Sequence, residues 1–215
     1  MDTAPSAPSL ADEPDSVAQR AARLADYIRT LPDFMFVERQ AAHGHMGATI
    51  AEATLQAGMR YHAQVVPRVA HILETYPEAT TSKAFLAALD KDTPEAVIDI
   101  YGRKARYTYA LTSLLATEGV RTEDELRGWL EDPEHVRLLL DVRGIGNKTV
   151  SYLRLLVGSP DAVAVDTRMR TFLGEADVPV NGYDDTVSIV TGAAKLLGVT
   201  PATLDVSIWR YAERR

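Results

Sequence analysis

The chain has 215 residues, 46% of them hydrophobic and 25% charged, enough apolar side chain to bury a sizeable core as one domain or two small lobes. It contains no cysteine, which excludes disulfides, thiolate catalysis and cysteine-ligated zinc or iron–sulfur clusters. The formal net charge of −7 argues against nucleic-acid binding by bulk charge, and no apolar run reaches the roughly 20 residues that cross a bilayer.

Residues 1–14 are rich in Ala, Pro, Ser and acid, with little to bury, and are expected to form a disordered acidic tail. The opening MDTAPSAPSLADEPD lacks the basic start and apolar stretch of a secretion signal, so a cytoplasmic location is expected. A first helix follows, with Val17, Ala21, Leu24, Ile28 and Leu31 at steps of four and three, and Pro32 ends it. The region from Met46 to Pro77 reads as two more helices, with a kink or restart at Pro67.

Thr93-Pro94 and Asp132-Pro133 each set a capping residue before a proline at the first helical position. Thr122 with Glu125 fits a capping box, and residues 103–118 form a helix stopped by Gly119. Tyr183-Asp184-Asp185 opens a helix through Leu197, and Thr200-Pro201 opens the last one. No alternating strand pattern exceeds four or five residues, so the expectation is an all-α fold of about ten short helices.

Charge is unevenly spread. Residues 143–170 carry Arg143, Lys148, Arg154, Arg168 and Arg170 against Asp161 and Asp166, a local balance of +3. Arg103, Lys104 and Arg106 form a second basic cluster, while the first basic residue after the acidic start is Arg20.

Residues 134–157 read EHVRLLLDVRGIGNKTVSYLRLLV, two apolar helical patterns around a tight Gly144-Ile145-Gly146 hairpin. Two glycines at a helix start permit positive φ and close approach of another group, and the helix N-terminus that follows presents unpaired N–H groups to a phosphate oxygen. A glycine turn in a plain helix-turn-helix has the same pattern. The sequel narrows the choice, because Gly158-Ser159-Pro160 is followed by AVAVDTRMRTFL, which delivers Asp166 to the head of a new helix.

RGIGNKT followed by AVAVDTRMRTF resembles the helix-hairpin-helix and Gly/Pro-Asp loop of the endonuclease III superfamily of base-excision DNA glycosylases, whose hairpin reads LPGVGRKT and whose loop reads VDTH. Lys148 and Asp166 stand at that family's catalytic positions, with its separation of 18 residues. Arg143 replaces the proline before the hairpin glycine, and Arg168 replaces the histidine after the Asp-Thr pair. Upstream, ATIAEATLQAGMRY resembles the family's early helix with its AQAT-type turn and places Gln56 near the glutamine that fills the gap left by a flipped base. The resemblance implies a two-lobed helical fold over residues 15–215, with the hairpin at 134–157 and a catalytic loop at 158–175. It also implies a member without the iron–sulfur cluster, double-stranded DNA as partner, and a monomer.

Excision of a base builds positive charge on the sugar, which a carboxylate such as Asp166 stabilises; an amine such as Lys148 can attack C1′ and form a Schiff base that permits strand cleavage. Asp166 is equally suited to cap a helix, and Lys148 to be a surface lysine in a first turn. Arg143, Gly144, Ile145, Gly146, Thr149 and Arg168 are expected to face the DNA backbone, and Gln56, Tyr61 and His62 the gap or base pocket. His43 and His45 lie in the same stretch, but no carboxylate pattern joins the histidines and no metal site is expected. Tyr107 and Tyr109 are pocket or core aromatics, and Trp129 and Trp209 are most simply core. The hairpin carbonyls of the family can hold a monovalent cation. Rival readings are a non-excising DNA-binding or base-modifying member of the same fold, and an interaction protein that uses the hairpin as a scaffold.

Overall fold

The computed structural model describes residues 15–38 and 43–215, so the expected tail at 1–14 lies outside the described residues. Twelve α-helices and one π turn, without a strand, make up the regular structure of the described residues. The first helix, α1 (Val17–Thr30), is followed by α2 (Met46–Leu55), the π turn (Tyr61–Val65), α3 (Val66–Thr75), α4 (Ser82–Asp92) and α5 (Pro94–Val97). Then come α6 (Arg103–Thr117), α7 (Glu123–Trp129), α8 (Pro133–Asp141) and α9 (Asn147–Leu156). The chain closes with α10 (Thr167–Glu175), α11 (Tyr183–Leu197) and α12 (Pro201–Glu213).

Two large hydrophobic cores, with a small third cluster of Leu155, Ala162 and Ala164, organise these elements into two lobes. One is built from residues between Met46 and Val157, including Ile50, Leu55, Phe85, Leu111 and Leu153. The other unites α1 with everything after the hairpin, through Leu24, Ile28, Phe172, Leu173, Ile189 and Leu204. The first helix therefore belongs to the C-terminal lobe, where it packs along α11. No helix of the described residues is long and apolar enough by itself to cross a membrane.

The caps explain most of the boundaries. Thr93, Asp132 and Thr200 accept hydrogen bonds from the first turns of α5, α8 and α12, as their positions before proline require. Ser16 and Gln19 form a full capping box on α1, which the apolar pattern alone did not reveal. The expected box at Thr122 is only half formed. Thr122 accepts from the Glu125 N–H, but the Glu125 carboxylate takes the Arg121 N–H at 2.7 Å and the Arg121 guanidinium. The reason is the neighbouring charge: Arg121 offers the carboxylate both a backbone N–H and a cation. At Pro67 the kink takes the form of the π turn. Proline has no N–H, and its ring crowds the carbonyl four residues back; the turn before it widens so that the Val66 N–H reaches the Tyr61 carbonyl.

One ion pair clamps α1 to the C-terminal lobe. The Arg20 guanidinium binds Asp185 in a fork at 2.7 and 2.8 Å and donates to the Pro179 carbonyl at 2.9 Å, almost wholly out of water. The Arg20 hydrogen bond, and then the Asn181 N–H, hold the Asp185 carboxyl below the usual carboxylate range. Removing one partner of such a pair strands the other, so Arg20→Ala should lower stability by about 3 kcal/mol in urea denaturation. Because the folded carboxyl titrates lower than the unfolded one, this stabilisation is complete above about pH 4 and lost as pH falls through the folded value. The acid limb of stability against pH should accordingly be shallower in Arg20→Ala.

Candidate active site

A cleft of about 1220 Å³ opens between the lobes and brings together residues far apart in sequence. Lys148 and Asp166 both line it, with Gln56, Tyr61, His62 and Arg168. Lys148 sits in the first turn of α9 just after the hairpin, and Tyr152 follows one turn later on the same face and in the same cleft. Lys148 makes no ion pair or hydrogen bond among the described residues. Beside it, Lys104 donates to the Thr54 and Ala57 carbonyls at 2.6 and 2.7 Å, closing the C-terminal end of α2. The Lys104 ammonium is held below the ordinary lysine value by burial first and then by the charge of Lys148.

Asp166 caps α10, its Oδ1 accepting from the Met169 N–H at 2.9 Å, while it lines the cleft. The two readings of this residue are therefore compatible: the cap fixes one oxygen and leaves the carboxylate at the cleft wall. Tyr183, on α11, donates to the carbonyls of Asn147 and Val163 at 3.3 Å each. That single hydroxyl ties the start of the Lys148 helix to the strand-like approach of Asp166.

The floor of the cleft holds a group that motif reading did not single out. Glu52, on α2, is only 2% exposed. Its Oε1 accepts from the Tyr152 hydroxyl at 2.6 Å and from the Tyr61 hydroxyl at 3.0 Å, and its Oε2 meets His43 Nε2 at 2.6 Å. A lone carboxylate within an otherwise uncharged ten-residue helix, one turn before Gln56, was the available signal. Asp205 is a second buried acid of the cleft and accepts the Ala164 N–H at 2.8 Å.

Several expectations need correction. Trp209 is not core: it lines the cleft, with Tyr61 against its edge and the Arg168 guanidinium 4.8 Å over its ring. Ile145 and Thr149 are buried, so only their backbone is available to a phosphate; Arg143, Gly144 and Gly146 are exposed. Tyr107 packs on the hairpin rather than in the pocket, and Tyr109 lies at the surface donating to Asp90 at 2.8 Å. Arg154 is drawn away to Asp161 at 3.1 Å and Glu131 at 3.7 Å, which subtracts it from the basic stretch. The histidines part company: His43 meets Glu52, His62 meets Glu213, and His45 caps α2. The described residues contain no cluster of three His, Asp or Glu side chains arranged for a metal.

The two hairpin glycines also differ. Gly144 has φ of +91°, and a Cβ there would fall 2.4 Å from the Tyr107 ring. Gly146 has φ of −128°, a conformation open to any residue, and a Cβ there would meet nothing within 4 Å. Only the first glycine is required by the protein's own packing. The second leaves open space at the head of α9, where no side chain caps the exposed N–H groups.

Residues 68–213 match a family model described as Domain of unknown function (DUF8548). The chain belongs to this family. The matched span holds the hairpin, Lys148, Asp166 and Trp209, and leaves Glu52, Gln56, Tyr61 and His62 upstream. No curated protein matches the DUF8548 chain by sequence. Among solved structures, it is similar to the crystal structure of an H. pylori 3-methyladenine DNA glycosylase (MagIII) bound to 1,N6-ethenoadenine. The TM-score is 0.61 and the identity 16%, covering 92% of this chain and 97% of the other. The likeness is one of fold: this chain shares the helical architecture of that structure.

Gly144→Ala should unfold at a clearly lower temperature, by more than the roughly 1 kcal/mol of a glycine effect alone, because strain and the Tyr107 clash add. Gly146→Ala should unfold with or slightly above wild type. Equal losses at both positions would contradict the packing described for Tyr107.

Proposed function

We propose that the protein excises a damaged or modified base from double-stranded DNA and then acts as a lyase, as a monomer, with Lys148 as nucleophile and Asp166 as catalytic carboxylate. The observation that supports this reading is the meeting of Lys148, free of any acidic partner among the described residues, with the capped carboxylate of Asp166 in one interlobe cleft. The glycosylase named among the similar structures supports the same chemistry at the level of fold.

A nucleotide must leave the stack to enter such a cleft. As the C1′–N bond breaks, the base departs with its electron pair and positive charge builds on the sugar, which Asp166 is placed to stabilise. The neutral Lys148 amine forms a new bond to C1′, and loss of its proton with ring opening leaves a Schiff base. Removal of a C2′ proton then expels the 3′ phosphate. The open head of α9, with Gly146 and Arg143, would hold a phosphate oxygen of the backbone. Gln56, at the end of α2, would fill the gap or face the extruded base.

Borohydride trapping on a duplex carrying an abasic site tests this directly. Wild type should give a covalent complex, and Lys148→Ala should give none while still binding DNA. Asp166→Asn keeps a good helix cap and removes the charge, so it should fold normally and lose about 10²–10³ in excision rate. Gly146→Ala should weaken duplex binding without loss of stability. Salt-sensitive binding without any covalent complex would make Lys148 a DNA contact and favour a non-excising role.

A further inference from the structure

At the mouth of the cleft, two basic side chains converge on a single oxygen. His62 Nε2 lies 2.9 Å and Arg168 Nη1 3.7 Å from Oε1 of Glu213. They come from different lobes: His62 from the π turn, Arg168 from α10 and Glu213 from the last turn of α12. Trp209 stands behind them, its ring under the Arg168 guanidinium and 6.0 Å from the His62 ring.

Convergence of a guanidinium and an imidazole nitrogen on one carboxylate oxygen is the geometry of an anion site. As a structural clamp it is poor, because the side chains of His62, Arg168 and Glu213 are 62%, 43% and 24% exposed, and such pairs add little to stability. A phosphodiester oxygen carries the same charge and accepts the same donors. The cation–π contact keeps Arg168 aimed at the mouth when its carboxylate partner leaves.

We propose that His62 and Arg168 form a phosphodiester-binding site at the cleft mouth, and that Glu213 occupies it in the DNA-free protein and must be displaced when DNA binds. The proposal rests on the reading of the protein as a DNA-binding enzyme and adds a built-in competitor to it. Duplex that does not bring a phosphate to the mouth leaves Glu213 in place. DNA whose backbone is drawn in around an extruded nucleotide exchanges one anion for another.

The test is the affinity for a duplex containing a tetrahydrofuran abasic analogue, measured by fluorescence anisotropy at about 50 mM salt. Glu213→Gln keeps the shape of the side chain and should bind about three- to fivefold tighter than wild type. In a His62→Ala/Arg168→Ala background the same change should have no effect. Glu38→Gln serves as comparator, since Glu38 lines the same cleft without an ion pair among the described residues. A gain that persists in the double-alanine background, or that Glu38→Gln matches, is a general charge effect and overturns the proposal. Unchanged or weaker binding by Glu213→Gln overturns it as well. If wild type shows no salt-sensitive binding to any duplex, the DNA reading itself fails and takes the proposal with it, an outcome recognisable before any variant is made.

Discussion

A buried carboxylate needs partners, and Glu52 imposes that need at the centre of the molecule. Every residue of its helix is buried, so no rotation of α2 can return the charge to water. Burying an ionised group without hydrogen bonds would cost more than a small lobe can offset. Among the described residues its partners include Tyr61 on the π turn, Tyr152 on α9, and His43 before α2. Each of those hydrogen bonds also fixes a wall of the cleft. Tyr152 sets the face of α9 and with it Lys148; Tyr61 sets the turn that carries His62. The shape of the site thus follows from satisfying one acid.

The second lobe is fitted to this frame by few but specific contacts. Tyr183 holds the start of α9 and the approach to Asp166 through one hydroxyl, and burial keeps that hydroxyl protonated by raising its pKa. Asp166 itself is fixed by the N-terminus of its own helix. Lys148 and Asp166 therefore reach the same cleft from opposite cores, each positioned by backbone rather than by the other.

The net charge of −7 is spread unevenly over the fold, which bears on the proposed nucleic-acid ligand. A few acids are taken up inside the fold, Glu52 and Asp205 by burial and Asp185 by its pair with Arg20, and several arginines are likewise paired away from the cleft. The cleft is lined by Arg60, His62, Lys148, Arg168, Arg170 and Arg210 as well as by Glu38, Asp166 and Glu213, and Arg143 is exposed just before the head of α9. Counting charges along the chain cannot separate the two populations. Arg154 and Arg168 look alike in sequence, yet one neutralises Asp161 and the other lines the cleft.

By itself the sequence determined the helical class, most helix starts and the glycine hairpin, because these depend on local chemistry; Lys148 and Asp166 were singled out by a family resemblance, and the structure shows that both line one cleft. Periodicity, caps, prolines and a glycine turn act within a few residues, and they were legible. Helix α4 is hard to read in the sequence because its signal, Thr81 before a weakly amphipathic run, is diluted by alanine. The tertiary structure alone decided which glycine the hairpin requires, since that depends on Tyr107 from another helix. It alone moved Trp209 from core to cleft, gave Glu52 its place on the floor, and set Glu213 against Arg168 and His62. Those outcomes turn on contacts between residues separated by tens of positions. No spacing rule encodes them, because they are fixed only when two hydrophobic cores close on one another.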